Sequence, residues 1–209
     1  MNTTATLDAE DTEPTTKTPD SKENGTLLMY VNDVLALERA MKEAVERQVA
    51  DASVREIPEA IAFLEKLAPS TEERLASLSE LSDKLGSGAA GVKEAVAAAA
   101  GMIAGLYGKV RKHAVSRMLR DDHTALGLAS TAYSMLYTTA VALHDGHTAA
   151  IAQRHLREVT PLIMGLSHVL PAVVVAELAA DFPDLNREAT EAGREATRRA
   201  WSQDGESGS

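Results

Sequence analysis

Apolar residues recur at three- and four-residue steps along four separate stretches of this chain, and that period admits little except helices. In the first stretch, residues 26–51, Leu27, Val31, Val34, Leu35, Met41, Val45 and Val49 share one side of a helical wheel. Thr26, following Gly25, is placed to cap its start. The second stretch, residues 58–85, carries Ile61, Leu64, Leu67, Leu75, Leu78, Leu81 and Leu85. Pro58 suits its first turn, and Gly86 suits the cap at its end. Pro69 is expected to kink or split this helix, with Ser70 capping the restart.

The third stretch, residues 109–143, presents Met118, Leu119, Leu126, Leu128, Tyr133 and Leu136 on a broad apolar face. His144, Asp145 and Gly146 then signal a tight turn. The fourth helix is predicted over 147–170, bent at Pro161 and stopped by Pro171, with a short further helix over 173–178. Between the second and third helices, residues 86–110 hold too many glycines for one long helix. They read as a connection containing one short helix near 92–106. No strand-like alternation competes with these patterns.

Four long helices joined by short turns and one long crossover make an all-α, antiparallel four-helix bundle with a short C-terminal helix. Composition agrees. Aromatic residues are only 3% of the chain, so its core must be built from Ala, Leu, Val and Met, a palette suited to close helix packing. Residues 1–25 are polar, have almost nothing to bury and are expected to be disordered. The bundle is expected over 26–180. Residues 181–209 read as a mostly flexible tail whose only anchor is Trp201.

The formal net charge of −10 argues against nucleic acid as a partner. Without cysteine there are no disulfides, thiolate metal sites or thiol catalysis. The opening residues are acidic and do not read as a signal peptide. No unbroken apolar run reaches the ~18 residues of a membrane span, and the longest candidate, residues 95–107, is rich in Ala and Gly. A cytoplasmic location without membrane attachment is the expectation. A helical module that binds an apolar ligand or a membrane surface through 95–107 is the alternative.

The chain has no Ser/His/Asp arrangement, phosphate loop or dinucleotide fingerprint. His155 and Glu158, three apart, could share a helix face and bind a divalent ion weakly; a solvated His–Glu pair is the plainer reading. Asp121, Asp122 and His123 form a polar cluster that could supply a base or a ligand, or simply pair with Arg117 or Arg120. The basic run at 109–120 reads as a solvated face, and His144 and His147 as turn and cap residues. Tyr133 and Tyr137 lie one above the other at i and i+4, as core tyrosines with hydroxyls needing partners.

The order of these pieces, with the entry LMYVNDVLALE at 28–38 and the block at 119–159, resembles the ferritin-like superfamily, in particular the bacterial YciE/YciF-type stress proteins. The resemblance covers roughly residues 26–178. It implies a ferritin-like bundle, a stress-related role and a homodimer or other homo-oligomer. Metal-binding members take one Glu from each of two helices and a Glu-x-x-His pair from each of the other two. Glu38 matches the first Glu. In the second helix, Glu72 and Glu73 are followed three residues later by Leu75 and Ala76. The third helix has no Glu, and Glu158 is followed by Pro161 where the pattern requires His.

The expectation is therefore a non-enzymatic bundle without a cofactor or a functional di-iron centre, acting through self-association or a partner. The alternative is a shifted site for iron or another divalent metal, drawing on Glu38, Asp122, His123, His155 and Glu158. A buried Glu38 without metal would need a hydrogen-bond donor, and Tyr133 is the candidate by its place in the bundle.

Overall fold

The computed structural model describes residues 21–86 and 114–202, and among them every regular element is helical. We number the helices α1 (Ser21–Ala50), α2 (Ala52–Arg55), α3 (Pro58–Lys84), α4 (Ala114–Ala142), α5 (Gly146–Asp181) and α6 (Ala189–Trp201). Each of the four long helices packs against two others: α1 against α3 and α4, and α5 against α3 and α4.

Cross-helix hydrogen bonds set the directions. Asn32 meets Ser82 and Glu38 meets Arg74, so α1 and α3 are antiparallel. Gln48 meets Asp122 and Glu38 meets Tyr133, so α1 and α4 are antiparallel too. His123–Ser167 and the ring contact Tyr133–His155 give the same relation for α4 and α5. It follows that α3 and α4 run the same way. The crossover expected between them lies outside the described residues, as do residues 1–20.

The core is aliphatic, as the composition demands. Val31, Leu64, Leu67, Leu78, Leu119, Leu126, Leu136 and Leu166 are fully or almost fully buried. Burying each such side chain contributes about 1.5–3 kcal/mol relative to leaving it in water. Local signals fix the joints. Asp51 caps α2 by accepting from the Ser53 amide and hydroxyl. Asp145 caps α5 by accepting from the amides of His147 and Thr148 and from the Thr148 hydroxyl. Gly86, at φ +91°, takes the left-handed conformation that follows α3.

Several sequence expectations need correction. Helix α1 begins before Thr26, whose hydroxyl donates back to the Lys22 carbonyl from within the helix. Pro69 does not split α3: its ring lies on the exposed face, and buried Leu67, Thr71 and Arg74 hold the helix on both sides. Pro171 does not end α5. The helix runs through Pro161 and Pro171 to Asp181, because Ala172 and Val173 beyond the proline remain buried. No separate helix over 173–178 exists.

The C-terminal segment read as flexible contains α6 instead. Its Gly193 sits against Pro171, where a Cβ would lie 3.0 Å from the proline Cβ. The Nε of Arg194 donates to the His168 carbonyl at 3.1 Å. Pro171 has no amide hydrogen, so the ladder bond it removes is the one to the neighbouring Ser167 carbonyl, one residue before the acceptor of Arg194. The side chain of Trp201 meets His123 edge-on, with ring centroids 6.4 Å apart.

Helix α5 is also long and apolar enough to cross a membrane by length and composition. Thr160, Ser167 and His168 interrupt its apolar residues, yet residues 159–176 carry no Asp, Glu, Lys or Arg.

Candidate functional site

Glu38 lies on the inward stripe of α1 and has no solvent exposure. A bare carboxylate there would be prohibitively costly, so its partners decide what the site is. Arg74 of α3, also fully buried, reaches it with two nitrogens: Nε to Oε1 at 2.7 Å and Nη2 to Oε2 at 3.0 Å. This is a bidentate fork, the strongest common form of the pair. The remaining guanidinium nitrogen, Nη1, donates to Ser70 Oγ at 2.6 Å. From α4, the Tyr133 hydroxyl donates to Glu38 Oε1 at 2.8 Å, the contact expected from the sequence.

A fourth helix closes the cluster. His155 of α5 lies with its ring centroid 5.5 Å from that of Tyr133. Its Nδ1 pairs with Glu158 Oε2 at 2.8 Å. A carboxylate accepts, so Nδ1 carries the hydrogen and Nε2 keeps a lone pair. That Nε2 is buried and meets no hydrogen-bond partner among the described residues.

The electrostatics follow from burial and these pairings. Burial opposes the charge on Arg74, but the Glu38 carboxylate outweighs it, so the guanidinium holds its proton above the ordinary value. Burial, reinforced by Glu38, pushes the Tyr133 phenol well above the usual range. Burial pulls the His155 imidazole down, and the bond to Glu158 opposes this only in part. The cluster is thus an ion pair with a neutral tyrosine and a neutral histidine attached. Glu38 is already engaged by three donors, which suits it poorly as a base or a metal ligand.

No protein-family model matches this chain, and no curated protein is significantly similar to it.

The sequence candidates do not converge on one point. Glu38 and His155 both approach Tyr133. Glu158 sits at the rim with its side chain 39% exposed. Asp122 belongs to a different level of the structure, where its Oδ1 accepts from Gln48 Nε2 at 3.0 Å. The Nε2 of His123 pairs with Ser167 Oγ at 3.0 Å, toward α5 and α6. Among the described residues, no three His, Asp or Glu side chains are grouped to hold a metal. The donor set around Glu38 does not suit a di-iron centre, because a guanidinium occupies its carboxylate.

One plain reading needs correction, and the pairing expected of Asp121 with Arg120 is present. His155 is buried, not part of a solvated pair, although its bond to Glu158 is present. Asp121 and Asp122 are buried as well, with Asp121 paired to Arg120. Tyr137 packs half-buried against the core.

Sequence reasoning missed Arg74, yet the signal was there. Leu67, Thr71, Arg74, Leu78 and Leu81 keep one inward register, so the arginine occupies a core position. It also missed Glu177. This α5 carboxylate accepts from the amides of Val115 and Ser116 at 2.8 and 3.1 Å and so satisfies donors in the first turn of α4. Nothing in local spacing could reveal a cap drawn from sixty residues away.

Proposed function

We propose that this chain is a non-enzymatic, ferritin-like four-helix bundle protein whose di-iron centre has been replaced by a buried organic ion pair. The carrying observation is Arg74, which places a guanidinium against both oxygens of Glu38. In a metal-binding bundle that carboxylate would face a cation; here the cation belongs to the protein. The common direction of α3 and α4 supports the long crossover of such a fold. The protein then acts through surfaces, in a stress-related role.

Self-association is the surface function we favour. Residues 124–143 contain no Asp, Glu, Lys or Arg. The outer side of α4 there exposes Leu128, Met135 and Val141. In a two-fold interface, residues near the axis meet their own copies, so any charge would face its like. An uncharged helix face suits that geometry in a chain of net charge −10.

Elemental analysis of purified protein tests the first half of the proposal: stoichiometric iron, manganese or zinc retained after chelation would overturn it. Sedimentation of the wild type and a Met135→Lys variant tests the second. The expected result is a dimer that the variant dissociates. A wild type monomeric at high concentration rules out self-association.

A further inference from the structure

The seat of α6 on α5 leaves two apolar grooves that the bundle reading does not use. The larger, about 480 Å³, is walled by Leu170, Val174, Val175 and Leu178 of α5 with Leu185 and Gly193 opposite. The smaller, about 320 Å³, is walled by Met164 and Trp201 and rimmed by His168, Arg194 and Arg198. Both are bordered by Ser167 and Thr197, so they adjoin there. They exist because α6 touches α5 through small residues: Gly193 rests on Pro171, and no residue of α6 is fully buried.

We propose that these adjoining grooves bind a single-chain amphiphile with a carboxylate head, a long-chain fatty acid or its like. The chemistry is divided along their length. Between Met164 and Leu178 the α5 wall spans about 21 Å at 1.5 Å per residue, the scale of an acyl chain. That wall carries no charged residue before Glu177. Cationic groups gather at the other groove, where Arg194 and Arg198 stand beside Trp201.

Both arginines already pair with glutamates of α6, Arg194 with Glu191 and Arg198 with Glu195. Those pairs lie at the surface, where water competes with them and they bind weakly. A ligand carboxylate held by its buried tail competes with those glutamates as a local group and not as a free ion. The combined space falls within the range of small-molecule sites, and a mostly apolar lining with a few polar groups is their usual character.

Trp201 is the only tryptophan in the chain, so its fluorescence reports on this site alone. The test titrates the full-length protein with laurate below its micellar concentration, with dodecanol as the uncharged control, and measures affinities by calorimetry. Saturable change in Trp201 emission is expected, with laurate binding at least tenfold tighter than dodecanol. Val174→Asp, at an exposed position where folding is tolerant and circular dichroism can confirm it, should weaken laurate more than tenfold. Arg198→Gln should weaken laurate severalfold and leave dodecanol unchanged. The absence of saturable laurate binding, equal binding of dodecanol, or unchanged laurate affinity in either variant overturns the proposal.

Discussion

Arg74 and Glu38, each without exposure to solvent, face one another across α1 and α3 through two parallel hydrogen bonds. Such a pair is asymmetric in its consequences. Removing both charges leaves only the Tyr133 hydroxyl to lose its acceptor; removing one charge strands the other. Arg74→Met should therefore destabilise the fold by about 3–5 kcal/mol. The double variant Arg74→Met, Glu38→Leu should recover part of that loss, the remainder being the Tyr133 hydroxyl left without its acceptor. Urea unfolding of the two proteins checks this, and a double variant no more stable than the single one would show that the pair itself drives folding.

Tyr133 contributes a hydrogen bond to a buried charge, worth about 1.5–3 kcal/mol. Tyr133→Phe keeps the ring and deletes the bond, so unfolding should become easier by roughly that amount. Unchanged stability would mean that Arg74 alone satisfies Glu38.

The phenol also predicts an alkaline limit. Burial, and then Glu38, raise its pKa in the folded state, so its contribution is complete below the unfolded value of ~10 and is lost as pH rises toward the folded one. Ultraviolet absorbance should show at least one tyrosine ionising only together with unfolding. Four tyrosines titrating reversibly with native helicity intact would contradict this.

His155 behaves in the opposite sense at acid pH. Its folded-state pKa is lowered by burial, so the unfolded chain takes up the proton first. Stability from the neutral imidazole is present above about pH 6.5 and declines as pH falls below it. His155→Gln should flatten the slope of stability against pH in that window. An unaltered slope would assign the acid sensitivity elsewhere, with His123, also lowered by burial, the next residue to replace.

Helix α6 should detach without unfolding the rest. Gly193→Val forces a side chain into the 3.0 Å approach to Pro171. Its expected effect is faster tryptic cleavage at Arg194 and Arg198, with the main thermal transition moved by only a few degrees. Cleavage no faster than in the wild type would mean that α6 can shift to accommodate the valine.

The apolar period predicted helices over 26–51, 58–85 and 109–143 by itself and, for the described residues of each, which faces turn inward, because each stripe has only one way to leave water. Caps within a few residues, such as Asp145 before α5, are legible for the same local reason. Glu38 and Tyr133 could be paired from their places in the bundle. The prolines could not be judged locally: Pro69 and Pro171 weaken one helical turn, and packing on either side decides whether the helix survives. The docking of α6 depends on Gly193 meeting Pro171 and Trp201 meeting His123, and neither pair is near in sequence. Arg74 shows the division most clearly. The sequence places an arginine in a core register, and only the tertiary structure supplies the carboxylate, hydroxyl and low-dielectric surroundings that turn a costly buried charge into the partner of Glu38.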